Sequence, residues 1–97
     1  MANAKFDLLL EEIRALHASK NHDYATAEDH LANVRRCQAL GVDPLLGVLV
    51  RLTDKQSRIE QLVRGKTPKH ESLRDTLIDQ AVYSLIGVLL LDEKNES

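Results

Sequence analysis

The chain has 97 residues, 43% hydrophobic and 29% charged, which is the balance of one globular domain spanning 1–97. A net charge of −2 and only three aromatic residues, Phe6, Tyr24 and Tyr83, argue against the broad basic footprint and stacking surface of a nucleic-acid binder. Cys37 is the single cysteine, so no intrachain disulfide forms and a reducing, cytoplasmic setting is expected. The start M-A-N-A-K-F-D lacks a charged-then-apolar leader, and the longest apolar run, 86–91, is too short for a membrane span.

Four helical segments are expected in chain order. The first covers about 4–19, where Phe6, Leu9, Leu10, Ile13, Leu16 and His17 recur at helical period. K-N-H-D-Y-A at 20–25 breaks that pattern. Thr26 and Asp29 form a weak capping box for a second helix carrying Leu31, Val34, Cys37 and Leu40 and ending at Gly41. Asp43-Pro44 is a stronger start signal, with Asp as N-cap and Pro at the first helical position. The third helix runs to about Arg64 and stops at Gly65, with a stripe of Leu45, Val48, Leu49, Leu52, Gln56, Ile59 and Val63. The fourth starts near Pro68 and runs to about Leu91, leaving D-E-K-N-E-S to fray. Short connections make consecutive helices antiparallel, so the fold class is all-α: an antiparallel four-helix bundle-like domain. The stretch 84–91 is apolar nearly all round, more than a 97-residue monomer can bury, so oligomerisation is expected to complete the fold. Gly87 would let another helix approach closely.

The residues with chemical potential lie on helices three and four. Arg51, Asp54, Lys55 and Arg58 share one arc of helix three, flanking its apolar stripe. Glu71, Asp75 and Asp79 are spaced i, i+4, i+8, and the same side continues as Ile78, Val82, Ile86 and Leu89. Counting outward from the 65–69 loop puts Asp75 level with Arg58, and Asp79 level with Asp54 and Lys55. Carboxylates gathered in one patch repel unless a cation sits among them. Lysine and arginine can serve, and so can a divalent ion such as Mg²⁺, which favours oxygen ligands and leaves room for phosphate. Asp54, Glu71, Asp75 and Asp79 are its candidate ligands. The alternative is a set of ion pairs that only fixes helix register.

These residues also carry a resemblance. K-N-H-D-Y-A at 20–25, Asn33, V-R-L-T-D-K-Q-S-R-I at 50–59 and E-S-L-R-D-T-L-I-D-Q-A-V-Y at 71–83 resemble the phage- and mobile-element-associated family called nucleotide modification associated domain one, over roughly 6–86. The resemblance implies an all-helical domain tied to nucleotide or DNA-modification pathways. It is also distantly similar to MazG-like all-α nucleoside-triphosphate pyrophosphohydrolases, which hold Mg²⁺ with E-x-x-E on one helix and E-x-x-D on the next. Here helix three offers Asp54, with Ser57 and Arg58 in place of a second acid, and helix four offers Glu71 and Asp75 one residue further apart.

Glu71 and Asp75 are therefore the catalytic candidates. Arg51, Lys55 and Arg58 are candidate phosphate clamps, and Lys20, Asp23 and Tyr24 would contact phosphate, sugar or metal, and base. Tyr83 falls away from the acidic stripe and is expected to pack. His17, His22, His30 and His70 lack zinc-like spacing. Three functions stay open: a Mg²⁺-dependent nucleotide hydrolase, a non-catalytic nucleotide-binding module, and a helical interaction module. The expected partners are a nucleotide or other phosphorylated small molecule and further copies of the chain.

Overall fold

A computed structural model describes the backbone of residues 3–24, 32–67 and 72–96, and the side chains of 3–18, 34–67 and 72–96. The described residues are all-helical, with no strand among them: α1 (Ala4–Tyr24), α2 (Ala32–Arg35), a 3-10 turn (Arg36–Leu40), α3 (Pro44–Val63) and α4 (Leu73–Glu96). The chain divides into two compact units, 1–36 and 37–97.

In the first unit, Asn3 opens α1. Its side-chain oxygen accepts from the backbone N–H of Lys5 at 3.0 Å and of Phe6 at 3.2 Å, satisfying two donors of the helix's first turn. The helix runs through Asn21 and Asp23 to Tyr24, beyond the predicted end at Ser19. Asn and Asp cost only a few tenths of a kcal/mol in a helix, so they do not by themselves stop one. Phe6, Leu8 and Leu10 are exposed, whereas Ile13 and His17 are half-buried. The predicted cap of the second helix, Thr26 and Asp29, lies outside the described residues.

The second unit is a hairpin of α3 on α4. Contacts run in opposite chain directions along the pair, which makes it antiparallel. Lys94 reaches Asp43, the α-carbon of Gly87 faces Val48 and Leu45, Gln80 meets Gln56, and Asp79 meets Lys55. Asp43 caps α3 as predicted: its carboxylate accepts from Leu45 N–H at 3.1 Å, and Pro44 follows. Gly65 ends the helix at φ 91°, where Lys66 N–H bonds Gln61 C=O and Gly65 N–H bonds Leu62 C=O, a Schellman closure that needs a left-handed residue. Gly41, at φ 79°, closes the 3-10 turn in the same way.

The core consists of Val48 from α3 with Ile78, Ile86 and Leu90 from α4. Around it Leu45, Leu52, Ile59 and Leu62 are half-buried, whereas Leu49, Gln56 and Val63 are exposed. The α3 contact face is therefore rotated from the predicted stripe, toward Lys55. On α4 the inward residue is Leu90; Leu89, placed on that side by the sequence reading, is exposed. Tyr83 is half-buried in line with Thr76, Ile86 and Leu90, as packing requires.

Both ends of α4 differ from expectation. The predicted start at Pro68 lies outside the described residues, and α4 is helical from Leu73. Ser72 Oγ accepts from Asp75 N–H at 3.1 Å while the Asp75 carboxylate accepts from Ser72 N–H at 3.4 Å, a reciprocal capping box with Asp in the usual Glu position. At the far end the helix does not fray at Leu91. It continues to Glu96, and Lys94 donates to the Asp43 carboxylate at the start of α3.

That contact has a pH signature. The Lys94 ammonium, with help from Leu45 N–H, holds the Asp43 carboxyl below its ordinary value of 3.8, against an opposing desolvation effect. A carboxylate depressed in the folded state stabilises above its unfolded pKa and loses that contribution as pH falls through the folded one. Acid titration of Tm should therefore be shallower below pH 4 in Lys94→Met than in wild type. Parallel Tm–pH curves for the two proteins would contradict this.

Candidate functional site

The α3–α4 contact brings together one pair of the predicted site residues. Lys55 Nζ lies 3.1 Å from an Asp79 carboxylate oxygen, and each side chain is only 19% exposed. Two features of the sequence place them there. Lys55 sits one turn from the half-buried Leu52 and Ile59, so its stem packs along the core-facing side of α3. Asp79 follows the buried Ile78 and precedes Val82 and Ile86 by one and two turns on the same side of α4. One residue further along both helices, Gln80 Nε2 donates to Gln56 Oε1 at 3.2 Å.

The predicted level of Asp79 with Lys55 is thus observed as a direct ion pair. Arg58 is half-buried on the same arc of α3, whereas Arg51 and Asp54 are exposed. Asp75 is exposed, and its carboxylate takes the Ser72 N–H in the capping box. The side chains of Lys20, Asp23, Tyr24 and Glu71 lie outside the described residues, although the backbone of 20, 23 and 24 belongs to α1.

Thr76 is the fully buried polar residue of this region. Its hydroxyl donates to Ser72 C=O at 2.9 Å, so its hydrogen-bonding demand is met inside the first turn of α4. The S-x-x-D cap at 72–75 is the residue set that the sequence reading missed. Its signal was present in the spacing but was overshadowed by Pro68.

As a chemical site this is a cationic strip on α3, Arg51, Lys55 and Arg58, of which Lys55 pairs with the partly shielded Asp79 carboxylate. Shielding strengthens electrostatic contacts there relative to bulk water. Cations at this spacing suit phosphate oxygens, and arginine can engage two at once. The fit to Mg²⁺ is poorer. Among the described residues no three of His, Cys, Asp and Glu gather into a group able to hold a metal ion. Of the three described candidate ligands, Asp79 is on Lys55 and Asp75 is on a backbone N–H.

No protein-family model, curated protein or solved structure matches this chain. Among the described residues, no helix is long and apolar enough to cross a membrane.

Proposed function

We propose that the chain is a nucleotide-binding protein of a phage or mobile element, with Arg51, Lys55 and Arg58 receiving the phosphates. The observation that carries this reading is the largely shielded Lys55–Asp79 pair inside a strip that holds two further arginines of α3. An ammonium already held at a helix interface can exchange its carboxylate partner for a phosphate without first being immobilised. The resemblance of 20–25, 50–59 and 71–83 to the nucleotide modification associated family supports the same ligand class. In this reading Lys20, Asp23 and Tyr24 complete the ligand contacts.

Hydrolysis of the MazG-like type is the further form of this proposal, with Glu71 and Asp75 as catalytic residues and Mg²⁺ held by Asp54, Glu71, Asp75 and Asp79. When bound, the ion would neutralise triphosphate charge. The described carboxylates do not form a donor set for it.

The test is a panel of nucleoside mono- and triphosphates, with and without Mg²⁺, read by thermal shift. A ligand at one hundred times its Kd adds about 2.7 kcal/mol, which corresponds to roughly 10–20 °C in a domain of this size. Arg51→Ala, an exposed change, should reduce that shift and leave the ligand-free Tm in place. A flat response across the panel would retire the nucleotide reading.

A second reading is favoured by a separate observation. Leu77, Leu85, Val88, Leu89 and Leu91 of α4 are all exposed. Such a surface fits a helical interaction module, and self-association into a homo-oligomer would cover it. An assembly of four long helices, contributed by two hairpins, is the architecture proposed for that state.

A further inference from the structure

On the outer side of α4, opposite the core residues Thr76, Ile86 and Leu90, lies a second stripe. Leu77, Ala81, Ser84, Val88 and Leu91 succeed one another at steps of four, three, four and three, and all are exposed. Steps alternating in this way keep residues on one side of a helix and are the spacing of a helix–helix seam. The stripe carries no charge. Ser84 behaves as a small residue, since its hydroxyl donates back to Gln80 C=O at 2.9 Å. The order is nearly palindromic: the small Ala81 and Ser84 lie in the middle, with Leu77 and Val88 equally far out on either side.

A patch that reads alike in both directions is self-complementary about a two-fold axis. The flanking charges decide the orientation. Arg74 and Asp92 are both exposed and stand eighteen residues apart, five full turns of helix, so they lie on the same flank at opposite ends. An antiparallel copy of α4 centred between Ala81 and Ser84 sets each Arg74 within one residue of the level of the other copy's Asp92. A parallel copy would set Arg74 level with Arg74 and Asp92 level with Asp92, on opposite flanks of the seam, and would form no opposite-charge pair.

We propose that the occupant of this face is a second copy of the chain, docked α4 to α4 in antiparallel fashion and framed by two Arg74–Asp92 pairs. This names the surface for the self-association reading above and rests on it. Wild-type protein should scatter light as a dimer, at twice the chain mass of 10.9 kDa. Val88→Asp should convert it to a monomer with unchanged helical circular dichroism.

Arg74→Asp and Asp92→Arg should each raise the dimer Kd by on the order of tenfold or more, because each leaves two like-charge contacts. The double charge swap should restore the Kd to near wild type. Neither single change opposes the helix dipole, since each places the matching charge at its end of α4, and unchanged helical circular dichroism of each variant would separate weakened pairing from unfolding.

A wild-type monomer would overturn both the surface and the self-association reading. A dimer that survives Val88→Asp, or a charge swap that fails to restore it, would overturn the surface alone. Neither outcome bears on nucleotide binding.

Discussion

Val48→Asp should abolish the cooperative thermal transition of the hairpin. Val48 is 2% exposed and packs against Gly87 of α4. A β-carbon added at Gly87 would lie 3.7 Å from Val48 Cγ1 and 3.9 Å from Leu45 Cδ1, ordinary contact distances. A carboxylate at position 48 would have no water and no partner, and would cost several kcal/mol, on the scale of a small domain's whole stability. The same geometry predicts the reverse at Gly87: Gly87→Ala fits, and gains up to about 1 kcal/mol by removing glycine's flexibility from a helix interior. Thermal melts of the two variants should therefore move in opposite directions. A cooperative Val48→Asp melt near the wild-type Tm would show that the helices do not pack as described.

The second large effect concerns the ion pair. Lys55→Met removes the ammonium that faces the partly buried Asp79 carboxylate at 3.1 Å, and Asp79→Leu removes that carboxylate from the Lys55 ammonium. Breaking a fully buried pair costs about 3–5 kcal/mol; at one-fifth exposure, about 2 kcal/mol is expected for each single change. The Lys55→Met/Asp79→Leu double variant should recover most of it, since an apolar pair of similar volume fits the same helix interface. A nucleotide response, where present in wild type, should stay absent in the stable double variant. Recovered stability without recovered ligand response separates a binding role from register-keeping. Additive losses would show that the two side chains are not coupled.

Local rules made the termini of α3 legible, because Asp43-Pro44 and Gly65 act through the backbone of their own neighbourhood and hold whatever the tertiary packing. The Lys55–Asp79 level was legible for a related reason: counting outward from a short loop is enough in an antiparallel hairpin. The α4 boundaries were not. Its upstream cap, Ser72 with Asp75, competes in the sequence with Pro68, and nothing short of hydrogen-bond geometry ranks the two. Its downstream extension carries Lys94 to Asp43, a contact between residues 51 positions apart that composition does not announce. The α3 stripe was displaced by one flank because Leu49 and Val63 are apolar but exposed, whereas Lys55 is charged but sheltered. Hydrophobicity alone puts such residues on the wrong side. Asp75 shows the same limit for function: a carboxylate at site spacing is occupied with a helix cap.

Asp43 carries two attachments of different age during biosynthesis. Its bond to Leu45 N–H can form as soon as the next two residues exist, whereas the bond to Lys94 must wait for a residue 51 positions downstream of Asp43. At about 5–20 residues per second, the first turn of α3 spends roughly 3–10 s with only its local cap before the distal clasp is made. The opening of α3 is thus started by its neighbour and secured by a residue the ribosome has yet to reach, so a stall or cut between Gly87 and Lys94 would be felt first across the open end of the hairpin, at Asp43.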